Sequence, residues 1–344
     1  MKKLLNTLYI TNEEYYLSKD NDNIVILNEG KTIGRFPKHI ISQIICFNYV
    51  GCSPAFMQMC IEENILISFL SPFGQLCGRV IGATNGNVLL RRRQFIMADN
   101  DESIGFVRNI IYAKAYNSRK VLERSLRDHK DKMNDRKIMV AVESITSLME
   151  QIKLTTSDKD SLRGIEGSIA RINFSVFDEL ILKNRDTFYF VQRTKRPPLD
   201  CVNTLLSFLY SMLTLDCQAA LEVVGVDSYV GFFHTDRPGR RSMALDLVEE
   251  FRAYIVDRMV LSLINLQIVN KKDFEFKENG AVLLNDKGRT KVLEYWQKRK
   301  HEEILHPYLN EKIKIGLLPH VQSMLLSRFI RGDLEMYPPF LMKG

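Results

Sequence analysis

The chain has 344 residues, 45% of them hydrophobic, and a net charge of +7. That length predicts two domains, and that apolar share excludes a disordered or fibrous chain. The apolar run in MKKLLNTLYI is too short for a signal peptide, and no stretch approaches the roughly 20 apolar residues that span a bilayer, so a cytoplasmic protein with no membrane contact is expected.

In chain order, the first eighty residues read as short strands. TLYI, YYLS, NIVIL and KTIGRF are β-branched or aromatic, and KDND and NEGK separate them as turns. SPAFMQMCIEEN predicts one helix, with Ser53 as N-cap and Pro54 at the first helical position. NILISFL and QLCGRVIG flank SPFG as a hairpin. A small, mostly β domain over 1–82 is therefore expected, with a linker at 83–88 around GATNGN. From residue 89 the apolar period becomes helical, over the runs 103–124, 134–152, 163–184, 201–221 and 243–266. A hairpin around Asn279-Gly280 interrupts these helices near 273–284, and the tail near 332–344 is expected to be an exposed arm. The fold class is thus α+β, a small β domain followed by a larger, mainly helical one over 89–344.

Residues 1–82 hold seven basic and seven acidic side chains, so the whole positive excess lies in the helical part. That imbalance points to phosphate-bearing partners. Cys46, Cys52, Cys60, Cys77, Cys201 and Cys217 form no C-x-x-C pair, which suits buried thiols better than zinc. There is no P-loop, no G-x-S-x-G elbow and no Rossmann glycine pattern. HEEILH resembles a zinc-protease motif, but His301 and His306 are five apart, about 140° round a helix.

Three features invite chemistry. On a helical wheel, Leu247, Val248, Phe251, Tyr254, Ile255 and Met259 form one stripe, with Asp246, Glu249 and Glu250 opposite. Taken alone, this helix is an amphipathic surface helix with a wet acidic face. Before it, His234 follows Phe232 and Phe233, and Arg237, Arg240 and Arg241 surround a Pro-Gly turn suited to phosphate oxygens or to plain solvation. Glu166 lies near the edge of an apolar stripe, between Gly164 and Gly167, where something should approach the backbone. A partly buried carboxylate needs a cation, either Arg163, Arg171 or a metal. Together these groups would suit Mg²⁺ or Mn²⁺, but sequence spacing does not show that they meet.

Four blocks, GIEGSIAR (164–171), RTKRPPLDCVNTLLSFLYSML (193–213), GFFHTDRPGRRSMALDLVEEFR (231–252) and NEKIKIGLLPHVQSMLLSRFIRGDLEMYPPFLMK (310–343), resemble the CRISPR adaptation integrase, the first of the CRISPR-associated proteins. The closing block is most similar to the type I-C version. The resemblance implies an N-terminal β-sandwich that dimerises and a helical catalytic domain. It implies a metal site, Mg²⁺ or Mn²⁺, held by the catalytic residues Glu166, His234 and Glu249, with Asp246, Asn203 and Arg196 in support. Arg237, Arg240, Arg241, Arg91, Arg92 and Arg93 are candidate phosphate contacts. The implied activity is strand transfer, in which 3′-hydroxyl ends of captured DNA, the protospacer, attack the CRISPR repeat. The implied partners are double-stranded DNA, a second copy as homodimer, and the small second CRISPR-associated protein in a heterohexamer. A non-catalytic DNA-binding scaffold and a general metal-dependent nuclease are the alternatives.

Overall fold

A computed structural model describes residues 6–47, 51–71, 74–82, 87–154 and 159–343. Residues 83–86 of the expected linker, Pro72 and Phe73 of the expected SPFG turn, and the first five residues lie outside the described residues. The chain divides into two compact units. One is Met1–Asn85 with Leu293–Glu302 and Ile315–Leu317; the other is Gly86–Val292, Glu303–Lys314 and Leu318–Gly344. The two late segments of the first unit were not assigned to it from the sequence.

The first unit holds strands β1 (Thr7–Ile10), β2 (Tyr15–Asp20), β3 (Asn23–Asn28), β4 (Lys31–Pro37), β5 (Gln43–Phe47), β6 (Gly51–Cys52), β7 (Leu66–Leu70) and β8 (Leu76–Val80), with helix α1 (Pro54–Glu62) before β7. They form two four-stranded sheets, ordered β1-β5-β7-β8 and β4-β3-β2-β6. Inward residues of both sheets, among them Ile10, Leu17, Ile24, Ile44 and Ile67, share one core with Phe56 and Met59 of α1. The hairpins β2–β3, β3–β4 and β7–β8 are antiparallel, as their turn residues predict. The β5–β7 pair is parallel, because the chain between them contains α1 as a crossover. Ser53 caps α1, its hydroxyl accepting from Phe56 N at 3.2 Å.

The second unit contains α2 (Val88–Asp99), α3 (Ile104–His129), α4 (Asp135–Leu154), α5 (Lys159–Ser175), α6 (Cys201–Val223), α7 (Ser242–Glu249) and α8 (Arg258–Asn265). The hairpin β9 (Phe274–Phe276) and β10 (Val282–Leu284) follows, then α9 (Asp286–His301), whose residues from Leu293 on count with the first unit, the unforeseen hairpin β11 (Glu303–Leu305) and β12 (Lys312–Lys314), and α10 (Leu318–Arg331). Strands first and helices after make the α+β class. α3 packs against α4, α5 and α7, and α6 against α7 and α10. By length and composition α6 is long and apolar enough to cross a membrane, against expectation, and 72% of its most apolar window is buried in the protein.

Three expectations need correction. The helix expected over 163–184 ends at Ser175 and gives way to a 3₁₀ turn, Phe177–Leu180. Asp178 there accepts from Phe190 N at 2.7 Å, and Asn265 holds Leu180 O and Leu182 N, so the backbone leaves the helical path without losing partners. The helix expected over 243–266 is broken by a π-helical turn at Arg252–Asp257. The tail is no exposed arm: Tyr337, Phe340 and Met342 are buried. It has no regular structure, so asparagines serve its backbone. Asn109 donates to Tyr337 O, while Asn117 donates to Phe340 O and accepts from Met342 N, all within 2.9 Å.

Candidate active site

The site begins with backbone donors. Phe232 and Phe233 are buried and draw the chain inward ahead of α7. The N–H groups of Phe232, Phe233 and His234 then need acceptors. The fully buried Asp246 of α7 supplies them, at 2.7, 2.9 and 2.9 Å. The turn also requires a glycine at 231, where a Cβ would lie 2.7 Å from Ser242 Cβ and 2.8 Å from His234 O. Asp246 Oδ1 is also 2.7 Å from His234 Nδ1. Opposite a carboxylate that nitrogen carries the hydrogen, which leaves the Nε2 lone pair on the side of Glu249.

Glu249, one turn along α7, is 2% exposed. Its Oε1 lies 3.0 Å from Arg252 Nη2 and 3.9 Å from His234 Nε2. Its Oε2 lies 2.8 Å from Lys114 Nζ yet is left without a well-directed hydrogen bond. Lys114 comes from α3 and is 7% exposed on its side chain. Its ammonium also pairs with Glu166 Oε1, from α5. Burial would raise the Glu249 carboxyl, but the charges of Arg252 and Lys114 outweigh it and hold that carboxyl below the usual carboxylate range.

The π-helical turn after α7 places Arg252 beside Glu249, its guanidinium 4.9 Å from the centre of the Tyr210 ring. The Tyr210 hydroxyl donates to Asp257 Oδ1 at 2.5 Å. Burial pushes the Asp257 carboxyl up to about 6, although Tyr210 and Arg252 act against it. Lys195 is exposed at the surface, yet partial desolvation and the positive charges of Arg252 and Arg193 lower it.

The structure therefore brings Glu166, His234, Glu249 and Asp246 together. The wet acidic face does not exist: Asp246, Glu249 and Glu250 are all buried. A wheel registers spacing within one helix and is blind to the Asp246 acceptor role and to Lys114. The cation of Glu166, whose side chain is 24% exposed, is neither Arg163 nor Arg171. Arg163 pairs with Asp160 and donates to Phe233 O at 3.1 Å, and Arg171 donates to Ser168 Oγ at 3.0 Å. Apart from the helix's own backbone and the chain neighbours, no atom of the described residues lies within 4 Å of where a Cβ of Gly164 or Gly167 would be, so none of them makes the close approach expected there.

Asn203 is buried and orders its own neighbourhood. It accepts from Arg193 Nη1 at 2.8 Å and Thr194 N at 3.1 Å, and donates to Gln192 O and to Asp200, the N-cap of α6. Arg196 is exposed and precedes a cis proline, Pro197. The candidate phosphate contacts divide. Arg237 and Arg92 are exposed and Arg91 is half-buried. Arg93 pairs with Glu102, Arg240 donates weakly to Thr235 O at 3.4 Å, and Arg241 donates to Gln218 Oε1 at 3.2 Å. Sequence reasoning missed Lys114, Arg252 and Lys195. Lys114 carried a signal, because it sits at core spacing among Val107, Ile110, Ile111, Asn117 and Val121 on one stripe of α3.

Among the described residues, no three His, Cys, Asp or Glu side chains stand close enough to hold an ion as they are placed. The donor chemistry nevertheless fits a divalent cation. Two carboxylates meet at one positive charge, one of their oxygens is buried without a directed hydrogen bond, and an imidazole nitrogen with a fixed tautomer faces the second carboxylate. The Lys114 ammonium is the positive charge at which the two carboxylates meet.

Residues 8–298 match the family model described as CRISPR associated protein Cas1. The chain is 45% identical over 342 residues to CRISPR-associated endonuclease Cas1 1 of Chlorobaculum tepidum, covering 99% of each chain. A casposase bound to integration product shares the fold, with a TM-score of 0.84 at 22% identity over 98% of this chain and 95% of that one. So does a Cas6-RT-Cas1–Cas2 complex, with a TM-score of 0.83 at 18% identity over 100% of this chain and 37% of that one.

Proposed function

The chain belongs to the Cas1 family of CRISPR-associated endonucleases, and from that membership we propose that it is the metal-dependent integrase of CRISPR adaptation. The reaction is transesterification. A 3′-hydroxyl of the captured DNA forms a new P–O bond at the edge of the CRISPR repeat, and the displaced 3′-oxygen of the repeat leaves and takes up a proton. One ester replaces another, so no ATP is consumed. The observation that carries this reading is the convergence of Glu166 and Glu249 on one cationic position, with His234 Nε2 facing Glu249.

Glu166, His234 and Glu249 would hold Mg²⁺ or Mn²⁺, which when bound neutralises charge developing on the phosphoryl oxygens. Asp246 fixes the imidazole so that Nε2 stays available. Arg252 keeps Glu249 in place, and the cations around Lys195 favour a phosphate at this position. Arg237 extends the positive surface along the DNA. Two copies pair through their near-neutral β units, whose strand edges suit protein contact. Cas2 joins them in a heterohexamer, a reading supported by the fold shared with a chain of a Cas1–Cas2 complex. The likeness of the closing block to type I-C versions supports reading the chain as of that subtype, and its expected place of action is the cytoplasm.

The test is to incubate the protein with Mn²⁺ and a branched integration product. Wild type should release the branch, and Glu166→Ala should abolish release while DNA binding persists. An uncut branch with wild type marks a scaffold, and equal cutting of unrelated duplexes marks a general nuclease.

A further inference from the structure

Lys114 has no part in the ligand set described above, yet it is the most constrained cation of the site. It sits mid-helix in α3, whose register is set by buried residues on the same stripe, and its side chain is 7% exposed. An ammonium taken so far out of water needs anions around it. It has two: Glu166 Oε1 from α5, and Glu249 Oε2 from α7 at 2.8 Å. Neither carboxylate is a neighbour of Lys114 in sequence. Three helices therefore meet at one nitrogen, and that nitrogen pairs with both of the carboxylates that would hold a divalent cation.

Resting on the metal-site reading, we propose that Lys114 is a resident counter-ion that a divalent metal must displace, so that metal loading is an exchange of cations. Glu249 is buried and Glu166 half-buried, and two carboxylates converging on one position without a cation repel. Lys114 removes that repulsion in the metal-free protein and keeps both carboxylates at loading distance. A metal ion held by Glu166 and Glu249 would compete with Nζ for the same carboxylates. The four-carbon stem of lysine lets Nζ withdraw, whereas Arg252, fixed on Oε1 of Glu249 and over Tyr210, remains. Metal affinity is then reduced by the free energy of expelling the ammonium, and the site loads reversibly.

The experiment uses the full chain, Mn²⁺ as probe, free-Mn²⁺ paramagnetic resonance to count binding, and thermal unfolding without metal. Lys114→Met preserves the stem and removes the charge. It should lower the metal-free Tm, tighten Mn²⁺ binding about tenfold, and enlarge the Tm gain at saturating Mn²⁺. The tighter binding should vanish when Glu166→Gln is added. Lys114→Gln replaces Lys114→Met should the latter not fold. If Lys114→Met binds Mn²⁺ no tighter than wild type, the exchange is overturned, and the metal site still stands provided Glu166→Gln alone weakens wild-type binding. If Glu166→Gln has no effect on Mn²⁺ binding, the metal site falls and the exchange with it.

Discussion

Asp257 stands close to the site without belonging to the ligand set. It is buried, it accepts from the Tyr210 hydroxyl, and its carboxyl is pushed up to about 6. A carboxyl raised on folding binds its proton more tightly in the folded chain than in the unfolded one. Its contribution to stability is therefore full below the ordinary value of 3.8 and is lost as pH rises through about 6, with no further change above. Asp257→Asn keeps an acceptor for Tyr210 and cannot titrate. Between pH 4 and pH 7, wild type should lose up to about 3 kcal/mol relative to this variant, read as diverging Tm values. Parallel Tm curves for the two proteins would contradict the assignment. Asp246 shows a different use of a buried acid. Its four close contacts to Phe232, Phe233 and His234 make it an anchor for the chain entering α7, which no charge pattern could have revealed.

At the level of elements, the break between α7 and α8 shapes the site. A continuous helix would carry Arg252 and Tyr254 on a regular 100° step, whereas the π-helical turn resets the register within the unit. Glu250, at the end of α7, is fixed by the tail. Tyr337 Oη donates to it at 2.6 Å and Phe340 N at 2.6 Å, while burial pushes its carboxyl up to about 7. The segment following α10 is thus a strap seated beside the Glu249 ligand position. Phe340→Ala should cost about 3–5 kcal/mol, seen as a fall in Tm and in the urea midpoint. Met336→Ala, at a residue 66% exposed in the same strap, should stay within about 0.5 kcal/mol. Equal, small effects at both positions would return the strap to a free arm.

For the molecule as a whole, charge is the relevant property. The positive excess lies outside residues 1–82, which are balanced. Binding to DNA through phosphate contacts should weaken linearly on a log–log plot against salt. Arg237 is exposed, so Arg237→Ala should reduce the slope of that plot by about one. Arg93 is already paired with Glu102, and Arg93→Ala should change the slope less. Fluorescence anisotropy at four or five salt concentrations distinguishes the two variants, and identical slopes for Arg237→Ala and wild type would remove Arg237 from the interface.

The sequence by itself determined the order of most elements, the β11–β12 hairpin excepted, and put forward the acidic and histidine candidates of the site but not Lys114 or Arg252. Periods of 2 and 3.6, Ser53-Pro54 and the turn glycines are local signals, written within a few residues. The four long blocks carried the family, and with it Glu166, His234 and Glu249 as candidates. Tertiary structure decided everything that depends on residues meeting across the chain. Lys114 on α3, Glu166 on α5 and Glu249 on α7 share a charge although 52 and 83 residues separate successive partners. The tail is buried for the same reason: Asn117 and Glu250 provide its hydrogen bonds from distant helices. Burial, and the partner that makes burial tolerable, are properties of the packed chain, and a helical wheel contains neither.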